Sequence, residues 1–444
     1  MTQKETSHQD MDFSEAAREA ERINQDYHYF LHLEKHPKAE KKGRLSGYAV
    51  SVKDCICVKG MESRAGSRIL SGFAPPYDAA VIEKVREEGG AILGKTSQDV
   101  FGFGSFNVNI SKGDKLPLNP FDKERVTGGS SGGAAGVTQL LSAKHIALSE
   151  STGGSIACPA SYCGVYGLTP TYGLVSRYGL MDYATSMDKI GVMAKDLEDV
   201  ALMLDIISGY DKRDSTSAKR AKEDYTKHGR NRFRIGVVSE SIGNGVMPKV
   251  KSNLFDKLKG HAFSEVSLPL VFRHGVATYY LISLSEASTN LAKYCGMRYG
   301  YHEALSGNFN EYFSKIREEA FSKEEKRRII LGTFARMSGY RDAYYLKALK
   351  VRTKMIEEYK SIFRNLDIIV TPTMPNIAPR FDEISKLSPL ENFMMDIMTV
   401  GPNIAGLPHI SIPSGMCDGL PTGFMAIADH FQEKKLIDFA RGLT

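Results

Sequence analysis

Apolar and polar positions along the chain follow helical and strand periods in turn. Apolar residues recur at helical intervals from Phe13 to about Gln25, with Ser14 placed to cap that helix. The stretch LSGYAVSVKDCICVKG predicts a strand that carries Lys53 towards its end. The stretch YDAAVIEKVREEGGAILGKTS predicts a helix that stops at Gly89 and Gly90, with a short buried strand after it.

The same unit of helix and strand recurs further along. SSGGAAGVTQLLSAKHIALSEST predicts a helix from near Ser131 to Leu141 and a strand from Ile146 to Leu148. RFRIGVVSES, residues 264–269 and LDIIVTPTMP predict further strands, and AGLPHISIPSGMCDGLPTGFMAIADH predicts two strands joined by a Gly/Pro turn. Strands that alternate with helices predict an α/β fold, in which helices cover both faces of a sheet.

A helical region rich in Lys, Arg and Tyr interrupts this alternation between residues 277 and 364. We expect it to form a helical layer, at about 277–365, over one side of the sheet. The chain has 444 residues, with no internal repeat and no obvious flexible linker. We therefore expect one domain over 1–444, with about 1–43 as an N-terminal helical region.

The composition, 42% hydrophobic and 25% charged residues, is that of an ordinary globular protein. A net charge of +6 permits an acidic partner such as RNA without requiring one, because the basic residues are spread along the chain. We find no secretory signal, and no apolar run reaches the roughly 18 residues of a membrane helix. Six cysteines without CxxC spacing indicate reduced thiols, so we expect a cytoplasmic protein with no membrane contact.

Three segments carry the candidate chemistry: VSVKDC with Lys53, TGGSSGGAAG with Ser130, and STGGSIA with Ser155. Each alone has a simpler explanation, as a solvated lysine, an anion-binding helix start or a tight turn. Together they favour catalysis, because a serine nucleophile needs a base and none of the eleven histidines stands in a comparable turn. A lysine that burial keeps neutral is such a base, with the second serine as a proton relay.

The turn around Ser155 also offers an oxyanion hole. Glycine lets the backbone approach a substrate closely, so successive N–H groups can point at a developing negative charge. These groups belong to Thr152, Gly153, Gly154 and Ser155.

With these residues the chain resembles the amidase-signature hydrolases, and within them the A subunits of the glutamyl-tRNA(Gln)/aspartyl-tRNA(Asn) amidotransferases. The family's lysine and two serines match Lys53, Ser130 and Ser155, and the stretches CGVYGLTPTYGLVSRYGLMDYATSMDKIG, EASTNLAKYCGMRYG, KRRIILGTF and GYRDAYYLKALKVRT are typical of the branch. The resemblance extends from about Leu45 to Phe431. It implies the amidase signature fold, a single large domain with a central mixed, twisted sheet, and a cis peptide bond at Gly129–Ser130.

The resemblance also implies a pocket for glutamine. Arg328 in KRRI would bind the α-carboxylate, for which a planar guanidinium is suited. Asp396 in FMMDIM would take the α-ammonium, Tyr279 or its neighbour Tyr280 would line the pocket, and Ser131 would also contact the substrate. From composition alone, Arg328 would be a surface charge on a basic helix.

The implied activity is that of a glutaminase subunit, whose ammonia serves transamidation of Glu-tRNA(Gln) or Asp-tRNA(Asn). In the branch, a B subunit uses ATP and magnesium to activate the misacylated aminoacyl-tRNA, and a small C subunit ties A and B together in a heterotrimer. The tRNA would be bound mainly through the B subunit. This chain has no Walker-type loop, and we expect it to hold no cofactor and no metal of its own.

The chain departs from the branch around its nucleophile. Ser151 stands where the family has an Asp, with Glu150 beside it, and Ala157 replaces an Arg. One residue is added before this turn, and Cys295 replaces the Asp of an RYDG motif. The family's Asp braces the loop, and we expect Glu150 to replace it only if the backbone shifts.

Two other functions remain open at this point. One is a free-standing amidase that cleaves another amide with the same triad, and the pairing of Arg328 with Asp396 disfavours it. The other is a non-catalytic scaffold, which the altered approach to Ser155 favours and the intact Lys53 and Ser130 oppose.

Overall fold

A computed structural model describes residues 13–229 and 232–443. All eleven strands in this part of the chain belong to one sheet. The strands are β1 (Phe30–Leu33), β2 (Ala49–Lys53), β3 (Ala91–Thr96), β4 (His145–Ser151), β5 (Tyr166–Thr169), β6 (Lys189–Ala194), β7 (Ile235–Val238), β8 (Phe263–Val266), β9 (Ile368–Pro372), β10 (His409–Cys417) and β11 (Leu420–Ile427). Their order across the sheet is β1-β3-β2-β4-β6-β5-β10-β11-β9-β7-β8.

Helices flank this sheet and connect most of its strands. They are α1 (Ser14–Tyr27), α2 (Ala80–Glu87), α3 (Gly132–Leu140), α4 (Ala157–Cys163), α5 (Leu197–Ile207), α6 (Pro248–Lys257), α7 (Pro269–Asn290), α8 (Phe309–Ala320), α9 (Lys323–Arg336), α10 (Lys347–Phe363), α11 (Phe381–Lys386), α12 (Pro389–Met394), α13 (Val400–Ile404) and α14 (Glu433–Arg441). None of the helices in the described ranges combines the length and the apolar composition that a membrane crossing requires.

The sheet is mixed, as the sequence predicts. β3, β2 and β4 are parallel neighbours, as are β9, β7 and β8, whereas the strands between β4 and β9 pair antiparallel. Every residue of β2, β3, β4, β6 and β11 is buried. A strand that is buried along its whole length is covered on both faces. The predicted α/β architecture is therefore confirmed.

The N-terminal region differs from the prediction in two respects. The helix begins at Ser14, and the residue that precedes it is Phe13, so Ser14 is the first helical residue and not the cap. A strand then follows, β1, which pairs antiparallel with β3 at the edge of the sheet. This region is thus not helical throughout, and its first twelve residues lie outside the described part.

The helical layer starts earlier than its sequence suggests. The first helix, α7, begins at Pro269, because proline fits the first turn of a helix, where its missing N–H is not needed. It packs against α9, α10 and α13. Residues 294–308, which fall inside the predicted layer, are not helical.

The parallel pairing of β2 with β4 brings the carboxyl ends of both strands together at one edge of the sheet. Ala49 lies opposite His145 and Val52 opposite Leu148, so the carboxyl ends of both strands are level. Lys53 closes β2, and the residues after Leu148 continue β4 past it. Side chains at the carboxyl ends of parallel strands meet at one edge, which is where α/β sheets carry their sites.

Candidate functional site

Lys53 lies at the centre of the site and is fully buried. Its Nζ is 2.7 Å from Oγ of Ser130. It also lies 2.9 Å from the backbone carbonyl oxygen of Glu150 and 2.9 Å from Oε2 of the same residue. The predicted pair of lysine and relay serine is therefore in direct contact, although the two residues are far apart in sequence.

The segment around Ser130 is held by close packing. The peptide bond Gly129–Ser130 is cis, as the resemblance implies. A Cβ on Gly129 would lie 2.3 Å from Oδ2 of Asp99 and 2.6 Å from the amide nitrogen of Phe106, so only glycine fits there. Ser131, expected to contact substrate, is buried and donates a 3.2 Å hydrogen bond to the Glu150 carbonyl oxygen. That oxygen is also bound by the lysine, so Ser131 belongs to the lysine's network.

Ser155 follows a tight turn at the end of β4 and is 5% exposed. A Cβ on Gly153 would lie 3.0 Å from Oη of Tyr279, and one on Gly154 would lie 2.5 Å from Oγ1 of Thr399. The two glycines are therefore required by their neighbours. Within the described ranges, the amides of Gly153, Gly154 and Ser155 donate no hydrogen bond, which leaves them free for an oxyanion. Whether they and Thr152 form the hole stays a prediction.

The departures from the family pattern have a structural account. β4 pairs with β6 without a register shift, with Glu150 opposite Ile190 and Ser151 opposite Lys189. The Ser151 hydroxyl braces the turn by donating a 2.9 Å hydrogen bond to the carbonyl oxygen of Gly153. The Glu150 carboxylate contacts Lys53 over 2.9 Å.

Arg328 borders a cavity of about 320 Å³ beside this network. It is only 3% exposed, so the alternative of a surface charge is wrong. Its Nε donates to Oε1 of Glu324 over 2.7 Å, and its Nη1 donates to Oη of Tyr183 over 2.5 Å. These contacts fix the guanidinium plane at the wall of the cavity. Tyr280 and Ser105 line the same cavity.

Asp396 lies behind Tyr280, which donates a 2.6 Å hydrogen bond from its hydroxyl to Oδ2 of the carboxylate. Burial raises the pKa of Asp396, and hydrogen bonds from Tyr280 and Ser105 oppose that rise. Of the two tyrosines that the sequence left open, Tyr280 lines the cavity and Tyr279 packs against Gly153. Contact of any of these side chains with a substrate stays a prediction.

Two buried carboxyl groups escaped the sequence analysis. Asp99 accepts 2.9 Å hydrogen bonds from the amides of Asn107 and Asn109, and burial raises its pKa to about 6. Asp188 accepts a hydrogen bond from the amide of Tyr183, and its Oδ1 lies 2.8 Å from the hydroxyl oxygen of Thr152. The sequence could have indicated Asp99, because it follows the predicted strand β3, which is a parallel neighbour of β2 and ends at the same edge of the sheet. No sequence pattern indicated Asp188, because it precedes the antiparallel strand β6 and does not follow a parallel one.

The described residues contain no cluster of three or more histidine, cysteine, aspartate or glutamate side chains arranged to hold a metal ion. The arrangement seen instead is a buried amine, a hydroxyl beside it and a glycine-rich turn with unoccupied amide groups. Such groups suit nucleophilic attack on a carbonyl carbon, with the negative charge taken up by the backbone.

Comparisons with known proteins agree with this arrangement. The model of the Amidase family matches residues 2–437. The A subunit of the glutamyl-tRNA(Gln) amidotransferase of Archaeoglobus fulgidus is 44% identical over 409 residues, which cover 92% of this chain and 88% of the relative. The corresponding protein of Koribacter versatilis is 45% identical over 409 residues, covering 90% of this chain and 84% of the relative.

Solved structures show the same fold. The crystal structure of the A subunit of the glutamyl-tRNA(Gln) amidotransferase from Thermotoga maritima superposes with a TM-score of 0.82 at 35% identity, covering 96% of this chain and 89% of that one. A peptide amidase from Stenotrophomonas maltophilia superposes with a TM-score of 0.76 at 25% identity, covering 98% and 93%. The chain therefore belongs to the amidase family, in the group that contains the A subunits of glutamyl-tRNA(Gln) amidotransferases.

Proposed function

We propose that this chain is the glutaminase subunit of a tRNA-dependent amidotransferase, and that it releases ammonia from the side-chain amide of glutamine. The observation that carries the proposal is the 2.7 Å contact between Lys53 and Ser130 in a chain that is 44% identical to an amidotransferase A subunit. A buried charged group is costly to keep, and apolar residues of similar volume often stabilise a protein as well or better.

In the proposed reaction, Ser155 attacks the carboxamide carbon of glutamine. Its proton passes to Ser130, whose own proton passes to neutral Lys53, and the amides of the turn stabilise the oxyanion. Ammonia leaves when the same relay returns a proton to the nitrogen, so that an acyl group remains on Ser155. Water then attacks this ester, and glutamate is released as the serine regains its proton.

The cavity supplies the means to hold glutamine by its α-carbon groups. Arg328 would bind the α-carboxylate, since its guanidinium borders the cavity and is fixed by Glu324 and Tyr183. Asp396 would bind the α-ammonium from behind Tyr280. The side-chain amide would then extend towards the turn that carries the nucleophile.

The ammonia would serve a second subunit. We infer a heterotrimer in which a B subunit uses ATP and magnesium to activate the glutamyl or aspartyl group of a misacylated tRNA, and a C subunit joins the two. The tRNA would be bound mainly by the B subunit. Such work in translation would take place in the cytoplasm. The relatives are named as the A subunits of an amidotransferase, which supports a complex with further subunits.

The direct test is glutamine hydrolysis by the chain assembled with its B and C partners. We expect Ser155→Ala to abolish the release of glutamate. The matched control is Ser142→Ala, which removes the hydroxyl of an exposed serine beyond α3 and should leave the rate unchanged. Hydrolysis by the Ser155→Ala complex at the parent rate would refute the assignment of the nucleophile.

Size-exclusion chromatography of the co-expressed subunits tests the partner proposal separately. We expect the three chains to elute together. A chain that elutes alone and cleaves simple amides faster than glutamine would support a free-standing amidase instead.

A further inference from the structure

A row of buried polar groups continues from Lys53 through Glu150 and Thr152 to Asp188. Oε2 of Glu150 lies 2.9 Å from the lysine Nζ, and Oε1 lies 2.7 Å from Oγ1 of Thr152. The same hydroxyl lies 2.8 Å from Oδ1 of Asp188. All of these residues are at most 2% exposed, so water does not screen the charges among them.

The hydroxyl of Thr152 limits how many protons Glu150 and Asp188 can lack. A hydroxyl carries one hydrogen, which it can donate to only one of two carboxyl groups. The second carboxyl group must then donate a proton of its own to the hydroxyl oxygen. One of Glu150 and Asp188 is therefore a neutral acid, and the other is a carboxylate.

The surroundings decide which of the two carries the proton. Glu150 faces the amine of Lys53, which stabilises a negative charge. Among the described residues no cation pairs with Asp188. Burial and the charge of Glu150 raise its pKa well above the usual range, against the hydrogen bonds of the Ala184 amide and the Thr152 hydroxyl. The row is thus a protonated Asp188, the hydroxyl of Thr152 and a carboxylate at Glu150.

Lys53 has three oxygen atoms within hydrogen-bonding distance of its Nζ. Two of them, the carbonyl oxygen and the carboxylate of Glu150, only accept hydrogen bonds, while the Ser130 hydroxyl can donate. In the neutral form that the proposed reaction requires, the amine would donate to the two acceptors and accept from the hydroxyl. When the lysine takes up a proton, its new positive charge forms beside a carboxylate that is already in place.

We propose that Glu150 is a positioning residue of the active site, which orients Lys53 and balances the positive charge that the lysine gains when Ser155 attacks. The inference rests on the proposed function for its substrate. Thr152 and Asp188 hold the carboxylate towards the lysine in the way that a third group orients the base of a catalytic triad.

Other ionisable groups also act on this row. Asp99 after β3 and Cys55 after β2 interact with the charge of Lys53, and Asp182 adds negative charge near Asp188. Burial raises the pKa of Cys55, so that thiol stays neutral, and the pKa of Asp99 is about 6. A pH profile of one variant must therefore be read against the parent protein, in which these groups titrate in the same way.

The test is Glu150→Gln in the assembled complex, because an amide keeps the size and the contact with Thr152 but removes the charge. We expect the high-pH plateau of kcat to fall about tenfold, since the lysine ammonium loses its counter-charge. We expect the acid limb of the profile to move to lower pH by about one unit, since the carboxylate no longer favours the protonated lysine. KM for glutamine should change less than about twofold.

The matched control is Glu433→Gln, another buried glutamate, whose Oε1 accepts a 2.7 Å hydrogen bond from the amide of Thr171. It should keep the parental acid limb. A second measurement does not need glutamine: the rate at which phenylmethylsulfonyl fluoride sulfonylates Ser155, with loss of fluoride, followed by mass spectrometry. This rate should show the same shift in Glu150→Gln.

The outcomes separate the two proposals. A Glu150→Gln protein with the parental plateau and acid limb would overturn the role of Glu150 and leave the proposed function intact. A lower plateau with an unmoved acid limb would show structural damage alone, and would also overturn it. A parent complex that does not hydrolyse glutamine, together with a shifted sulfonylation profile, would refute the substrate and support Glu150.

Discussion

The hydroxyl of Tyr280 donates a 2.6 Å hydrogen bond to Oδ2 of Asp396, and both side chains are buried beside the cavity. Burial raises the pKa of Asp396, and this hydrogen bond lowers it again. The bond thereby helps Asp396 to stay negative, as a binding partner of an ammonium group must be.

We expect Tyr280→Phe to weaken glutamine binding, because Asp396 loses the donor that opposes its protonation. KM should rise about tenfold, which corresponds to a hydrogen bond to a charged group, while kcat changes little. Steady-state kinetics of glutamate release measure both constants. Tyr279→Phe is the paired control, and a larger rise of KM in Tyr279→Phe would contradict the assignment of Asp396 and Tyr280.

Arg328→Lys tests the carboxylate site. A lysine keeps the charge but cannot donate to Glu324 and Tyr183 in one plane while it binds a carboxylate. We expect KM for glutamine to rise at least about tenfold. The control is Arg327→Lys, since Arg327 also pairs with Glu324, over 2.9 Å, but its side chain is 46% exposed. Equal effects of both variants would contradict the assignment of the carboxylate site to Arg328.

Gly129→Ala should cost both stability and activity. The added Cβ would lie 2.3 Å from Oδ2 of Asp99 and 2.6 Å from two backbone nitrogens, which cannot move away as a flexible side chain would. We expect a loss of about 1–3 kcal/mol in the free energy of unfolding, measured by urea denaturation. Gly245→Ala is the control, because a Cβ there meets no atom within 4 Å. Parental stability of Gly129→Ala would refute the packing described for this segment.

His145 makes the fold sensitive to acid. Its Nε2 contacts Oγ of Ser51 over 2.9 Å, and burial together with the charge of Lys195 lowers its pKa from 6.5 to about 3. Between these two pH values the unfolded chain binds more protons, so stability is present above pH 6.5 and is lost as the pH falls towards 3. We expect His145→Gln to remove this contribution.

The measurement compares urea unfolding at about pH 7 and about pH 4. The parent protein should lose about 3 kcal/mol more than His145→Gln over this interval. The exposed His36 provides the control His36→Gln, which should behave as the parent does. The same loss in parent and His145→Gln would show that the imidazole is not buried in neutral form.

The periodic pattern of the sequence was sufficient for most strands of the sheet and for three segments of the site. Helical and strand periods are local properties, so α2, α3, β2, β4 and the hairpin of β10 and β11 could be predicted from neighbouring residues alone. Lys53, Ser130 and Ser155 could be selected because each stands in a short segment with a distinctive composition. The strands β1, β5 and β6 were not predicted. β1 and β5 have only four residues each, which carry too little pattern.

What the tertiary structure alone decided is the pairing of side chains that are distant in sequence. Glu150 meets Lys53 across 97 residues, because the parallel register of β2 and β4 places the carboxyl ends of both strands at the same level. Asp188 reaches Thr152 from the start of an antiparallel neighbour, and Arg328 is buried because Tyr183 and Glu324 take its donors. Strand register and side-chain burial cannot be predicted from neighbouring residues alone, since both depend on how the whole sheet and its helices pack.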